Sequence, residues 1–147
     1  MPGQWKKTDR LIGIMSDQRF VAFILYFNRD RDYYECHEVM EELWLEEGRS
    51  SLLQGLLQAA VGLHHWDNGN RSGAVMLMNA AQDKLQGYED VVLGLDLVDL
   101  KKNLSESLKA IARSPDTAPF RSFKLIILDE ALLQTVENAG DSPASPE

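Results

Sequence analysis

In the stretch YYECHEVMEELW, His37, Glu41 and Trp44 have the types and spacing that could do chemistry. An imidazole ligates metals and moves protons, a carboxylate four residues later can share its ion or its proton, and an indole can wall a site. On a helix turning about 100° per residue, the three fall within an arc of about 60°. That arc lies inside the apolar stripe of the same helix, because Leu43, Cys36, Met40, Tyr33, Tyr34 and Leu45 run on either side of it. Glu35, Glu38, Glu42 and Glu46 occupy the opposite, solvated side. The pattern therefore predicts a buried His37 and Glu41, and a buried carboxylate is costly unless something pairs with it.

The next helix supplies possible partners. In SLLQGLLQAAVGLHHWD, residues Gln54, Gln58 and His65 fall within about 40° of one another, with Gly55 and Gly62 alongside and mostly Leu, Ala and Val elsewhere. Glycines inside a helix cost on the order of 1 kcal/mol each relative to Ala, so close approach of another backbone is expected there. Packing the two helices antiparallel across the short Gly48 turn would bring His37, Glu41, Trp44, Gln54, Gln58 and His65 into one interior polar cluster. His37, Glu41 and His65 could then hold Zn²⁺, Mn²⁺ or Fe²⁺ with a bound water as nucleophile. Equally, Glu41 could accept a hydrogen bond from His37 while the glutamines complete a satisfied structural network. The second His of a metalloprotease HExxH pair is missing, since Glu41 stands in its place, and the repeated Glu-x-x-His of di-iron bundles is absent too.

The elements that must position these residues read as an all-α, antiparallel bundle of about five helices. Ser16-Asp17 caps a helix over Gln18 to Phe27, and the second helix runs from about Arg31 to Glu47 and stops at Gly48. Ser50 or Ser51 caps the third, which ends at the DNGN turn, where Gly69 makes the turn and Asn70 caps the fourth, to about Gln86. Leu97, Leu100, Leu104, Leu108 and Ile111 mark the fifth. Beyond Pro115 and Pro119 the chain is less regular, PFRSFKLIIL being open between extended segment and partial strand, with a last short helix from Asp129 to Glu137. One domain over 16–137 is expected, between an N-terminal segment 1–15 and a disordered tail 138–147.

Charge narrows the partners. Asp30 to Glu47 holds eight acids and one base, so this segment carries −7 of the formal −8. No basic patch is available for phosphates, and nucleic acid and anionic membranes are not expected partners. The uncharged run from Ser50 to Trp66 is shorter than the roughly 20 residues that span a bilayer. The single Cys36 leaves no internal disulfide, and its acidic surroundings disfavour a nucleophilic thiolate. MPGQWKKTDR lacks the apolar core of a signal peptide, so the reading is a cytoplasmic protein.

YECHEVMEELW followed by LQGLLQAAVGLHHWDNGNRSGA resembles the prokaryotic domain-of-unknown-function 309 family. Its hallmark, His, three residues, Glu, two residues, then Trp or Tyr, falls on His37, Glu41 and Trp44. Its second signature falls on Gln54, Gly55, Gln58, His65, Gly69, Asn70, Gly73 and Ala74. The resemblance covers about Phe20 to Gln86 and implies a helical, cytosolic protein with a metal site but no assigned reaction.

Two function classes follow from these residues. One is a small metal-assisted hydrolytic enzyme built on His37, Glu41 and His65. The other is a non-catalytic interaction module, since the third and fourth helices look like a tetratricopeptide-type pair without that consensus's Trp, Gly and Tyr. A small polar ligand, a protein partner or a second copy of the chain would fit either class.

Overall fold

The computed structural model describes residues 11–113 and 118–141. Residues 11–16 are helical. They are followed by α1 (Gln18–Leu25), a π-helical turn (Tyr26–Asp30), α2 (Tyr33–Glu46), α3 (Ser51–Asp67) and α4 (Arg71–Leu85). A two-stranded hairpin, β1 (Val91–Val92) and β2 (Leu95–Asp96), leads into α5 (Leu97–Arg113), and α6 (Glu130–Asp141) closes the described chain. The protein is a mostly all-α helical bundle.

Side-chain caps explain where the helices begin. Asp17, Asp32, Ser50, Asn70, Asp96 and Asp129 each accept a backbone N–H from the first turn of the helix that follows. The caps at Asp17, Ser50 and Asn70 stand where the sequence put them. The second helix starts two residues later than expected, because the π turn ends on Arg31 in a left-handed conformation (φ 52°) and Asp32 is left to cap.

Two helical hairpins close with the same device. Arg49 N donates to Trp44 O (2.8 Å) and Gly48 N to Leu45 O, while Asn70 N donates to His65 O (2.8 Å) and Gly69 N to Trp66 O. Both are Schellman caps, and Gly48 (φ 75°) and Gly69 (φ 80°) take the left-handed position that favours glycine. The turns fold α2, α3 and α4 back on one another, with α1 against α2, α5 against α4 and α6 against α1.

The core runs through this stack. Phe20, Phe23 and Ile24 of α1 and Phe27 of the π turn meet Tyr33, Cys36, Met40 and Leu43 of α2, and α3 lies deepest, with Leu53, Leu56, Ala59, Ala60 and Leu63 buried. Its freedom from charge until Asp67 is what makes that position affordable.

The structure completes or corrects three elements of the sequence reading. VVLGLD forms the hairpin, with Leu93 (φ 54°) and Gly94 (φ 74°) as a two-residue turn of the left-handed type that suits twisted strands. The PFRSFKLIIL region is an extended strap: Asn28 clamps Leu125 through both its N–H and its carbonyl (2.8 and 2.9 Å), and Ile127 bridges to Leu95. The final helix continues to Asp141, past the expected start of the tail, since Val136 packs into the core and Gly140 O accepts from Arg29. The rest of the expected tail, 142–147, lies outside the described residues, as do 1–10 and 114–117.

Candidate functional site

His37, Glu41 and Trp44 share one face of α2, as their spacing required. The face is not interior, which corrects the expectation of burial: the side chains of His37 and Glu41 are 36% and 47% exposed. The cause is the packing direction of α2. Tyr33, Cys36, Met40 and Leu43 take the buried centre of the stripe, and His37 and Glu41 fall on its rim. The imidazole sits between two carboxylates of its own helix, Nδ1 at 3.3 Å from Glu38 Oε2 and Nε2 at 3.6 Å from Glu41 Oε2. Protonated, it would donate toward both.

Trp44 anchors the other end of the strip. It packs against the core, its Nε1 is buried without a hydrogen-bond partner, and the guanidinium of Arg49 lies 5.7 Å from its ring centroid. Arg49 follows the turn's glycine, is left-handed as well (φ 62°), and its N–H closes the turn on Trp44 O, the residue its guanidinium covers. The sequence reading passed over Arg49. The signal available was its place immediately after a helix-ending glycine, where the chain doubles back over the last turn.

On α3, Gln54, Gln58 and His65 are half-buried and fall on one side of the helix. Gln58 Oε1 is buried with no hydrogen-bond partner, as Trp44 Nε1 is on α2. The two glycines of the seam face α4: a Cβ on Gly55 would stand 2.6 Å from Leu85 Cδ2, and one on Gly62 2.8 Å from Met78 Cγ. This corrects the expectation that α2 packs against the glycine seam: the glycines admit α4 instead, through side chains at Gly55 and through the Met78 backbone nitrogen, 3.4 Å from the added Cβ, at Gly62.

His65 is engaged by the turn that follows it. Asn70 Oδ1 accepts from Gly73 N (3.0 Å) and from Ser72 Oγ, which fixes the orientation of its amide. Its Nδ2 therefore faces His65 Nδ1 at 3.3 Å, so Nδ1 acts as acceptor and the ring proton belongs on Nε2. Gly73 leaves room for this amide, since a Cβ there would meet Asn70 Nδ2 at 2.6 Å and press it out of place. His64 lies beside His65 (ring centroids 6.0 Å) but turns to Tyr34 of α2 (6.3 Å) and to Asn68. Among the described residues no group of three or more His, Cys, Asp and Glu side chains is placed to hold one ion.

Cys36 is fully buried, its Sγ donating to Phe23 O at 3.6 Å, and burial pushes the thiol well above its ordinary range. Such a thiol is not a nucleophile at neutral pH. The acidic face of α2 is tied to α1 by Arg19, which bonds Asp17 (2.8 Å), Glu42 (3.2 Å) and Glu46. Among the described residues no helix is long and apolar enough to cross a membrane.

Fold and face together define a small helical protein with a polar strip on the rim of α2 and half-buried polar residues along one side of α3. A family model described as "Domain of unknown function (DUF309)" matches residues 20–77, which hold all the strip residues from His37 to His65. The "Uncharacterized protein YpuF" of Bacillus subtilis (strain 168) is 32% identical over 126 residues, covering 80% of this chain and 69% of that protein. An "Uncharacterized protein" of Aquifex aeolicus (strain VF5) is 31% identical over 113 residues, 73% of this chain but 34% of its own length. The chain belongs to the DUF309 family.

Proposed function

We propose that this chain is a non-catalytic helical docking module whose α2–α3 face binds a basic segment of a partner protein. The observation that carries the reading is Arg49 resting on Trp44 at the end of a carboxylate-rich strip. The chain's own guanidinium shows what that indole face accepts, since a cation over an indole is favoured by the ring's quadrupole. Glu38 and Glu41 continue the strip beside His37, in a segment of net charge −7 between Asp30 and Glu47. The buried, unpartnered Trp44 Nε1 and Gln58 Oε1 add a donor and an acceptor that a bound backbone could use after small rotamer changes. An open strip on helix faces suits a peptide better than a small substrate held for reaction. The reading takes the protein as cytoplasmic, which its single, buried cysteine supports.

The test is fluorescence polarisation with a labelled arginine-rich peptide and an acidic control. Binding of the basic peptide alone, weakened by Trp44→Phe and Glu41→Gln but not by Glu137→Gln on α6, supports the module. Equal weakening by all three variants means undirected attraction to an acidic protein and overturns it.

A divalent-metal site for Zn²⁺, Mn²⁺ or Fe²⁺, with hydrolytic chemistry, is the second reading. It is favoured by the 3.6 Å between His37 Nε2 and Glu41 Oε2, a spacing that one ion could span after a slight closure. His65 would have to exchange its Asn70 contact to join as third ligand. Added metal should then raise the melting temperature, and His37→Ala and Glu41→Ala should abolish the rise while His64→Ala keeps it. No rise with any of the three ions removes this reading and leaves the docking module untouched.

A further inference from the structure

A cavity of 410 Å³ lies at the end of the bundle where α2 and α4 finish and α3 begins. It is separate from the docking face, since none of His37, Glu41, Trp44, Gln54, Gln58 or His65 lines it. Its walls are apolar, built from Ile14, Leu52, Val92 and the ring of Tyr88, and its charged lining consists of two carboxylates, Glu47 and Glu89. No Lys, Arg or His side chain lines it among the described residues. The backbone adds to the same sign. Gly48 and Gly87, just past the carboxyl ends of α2 and α4, both line the cavity, so two helix C-termini, which carry partial negative charge, finish at its wall. Ser50, whose Oγ caps the N-terminus of α3 by accepting from Leu53 N, lines it too, as does Leu11 of the helical stretch 11–16.

We propose that this cavity binds a small organic cation with an apolar body, of the arylalkylamine class. Its volume falls in the range of small-molecule sites, roughly 300–1,000 Å³. The aryl group would lie against Tyr88, Leu52 and Val92, and the ammonium would sit between Glu47 and Glu89 at the two helix ends.

The experiment is an NMR titration of the full chain with phenethylamine, using 3-phenylpropionate and 2-phenylethanol as probes of the same body with opposite or no charge. Saturable shifts at the Leu52 and Val92 methyls with the amine, and weaker or no shifts with the other two, are expected. Glu47→Gln and Glu89→Gln should each weaken amine binding about threefold to fivefold, as for partly solvated ion pairs, with melting temperatures unchanged. Equal binding of all three probes, shifts that map elsewhere, no saturation, or amine affinity indifferent to both glutamine variants would overturn the proposal.

Discussion

Gly62 of α3 lies against Met78 of α4 so closely that a Cβ on it would stand 2.8 Å from Met78 Cγ and 3.4 Å from the Met78 backbone nitrogen. The contact sets the distance between the two helices. Alanine at this position gains about 1 kcal/mol of helix propensity, but overpacking a fully buried site costs about 1–3 kcal/mol. Because Met78 presents backbone as well as side chain, the clash should win. Gly62→Ala is expected to lower the melting temperature by roughly 2–4 °C, the shift that about 1 kcal/mol produces in a domain of this size. Gly13 is the control: it is helical with nothing within 4 Å of its added Cβ, so Gly13→Ala should raise the melting temperature.

The Asn70–His65 contact makes a prediction about proton position. With Asn70 Nδ2 donating, His65 should be the Nε2–H tautomer, visible in long-range ¹H–¹⁵N spectra. Asn70→Asp keeps the helix cap but replaces the donor with an acceptor, so His65 must then donate from Nδ1. That change also bares a lone pair on Nε2. If His65 ever serves as a ligand, Asn70→Asp should strengthen metal binding; an unchanged tautomer in the variant would show that the contact does not control the ring.

Arg49 combines a cost with a gain. Its left-handed backbone (φ 62°) is disfavoured for a residue with a Cβ, while its guanidinium over Trp44 contributes about 0.5–1 kcal/mol at a solvent-exposed site. Arg49→Gly removes both, and its stability should stay within about 0.5 kcal/mol of the parent. Arg49→Ala keeps the cost and loses the gain, so it should be the less stable of the two. Chemical denaturation of both variants checks the order; equal midpoints would mean that the cation–π contact contributes nothing.

How much of this was legible in the sequence depends on what each residue's neighbours decide. Caps at Asp17, Ser50 and Asn70 and the stops at Gly48 and Gly69 are local, since each acts within one turn, and they were readable directly. That His37, Glu41 and Trp44 share a face was equally readable, because helical periodicity fixes it. Their exposure was not. A wheel orders residues around an axis but does not say which direction the neighbouring helices cover, and here α1 and α3 leave His37 and Glu41 on the rim. In sequence, the PFRSFKLIIL strap stays open between extended segment and partial strand for a similar reason. Its register depends on Asn28 clamping Leu125, 97 residues away in sequence, and no local pattern reports such a pairing.

Tyr33 gives the pH prediction. It is buried with its hydroxyl lacking a hydrogen-bond partner, and burial pushes the phenol up to about 12. In the unfolded chain it ionises near about 10, so the folded state holds its proton more tightly. The contribution to stability is therefore full below about pH 10 and is lost as pH rises toward about 12, because the unfolded chain gives up the proton first. Cys36, raised by the same burial, acts in the same direction. Removing the unpartnered hydroxyl should cost nothing at neutral pH: Tyr33→Phe is expected to be neutral or stabilising by up to about 1 kcal/mol. Its stability should also fall less steeply in alkali than the parent's, with Cys36→Ala removing a further part of the slope. Urea midpoints between pH 7 and pH 11 would show this, and parallel curves for parent and Tyr33→Phe would mean that the phenol is already solvated in the folded protein.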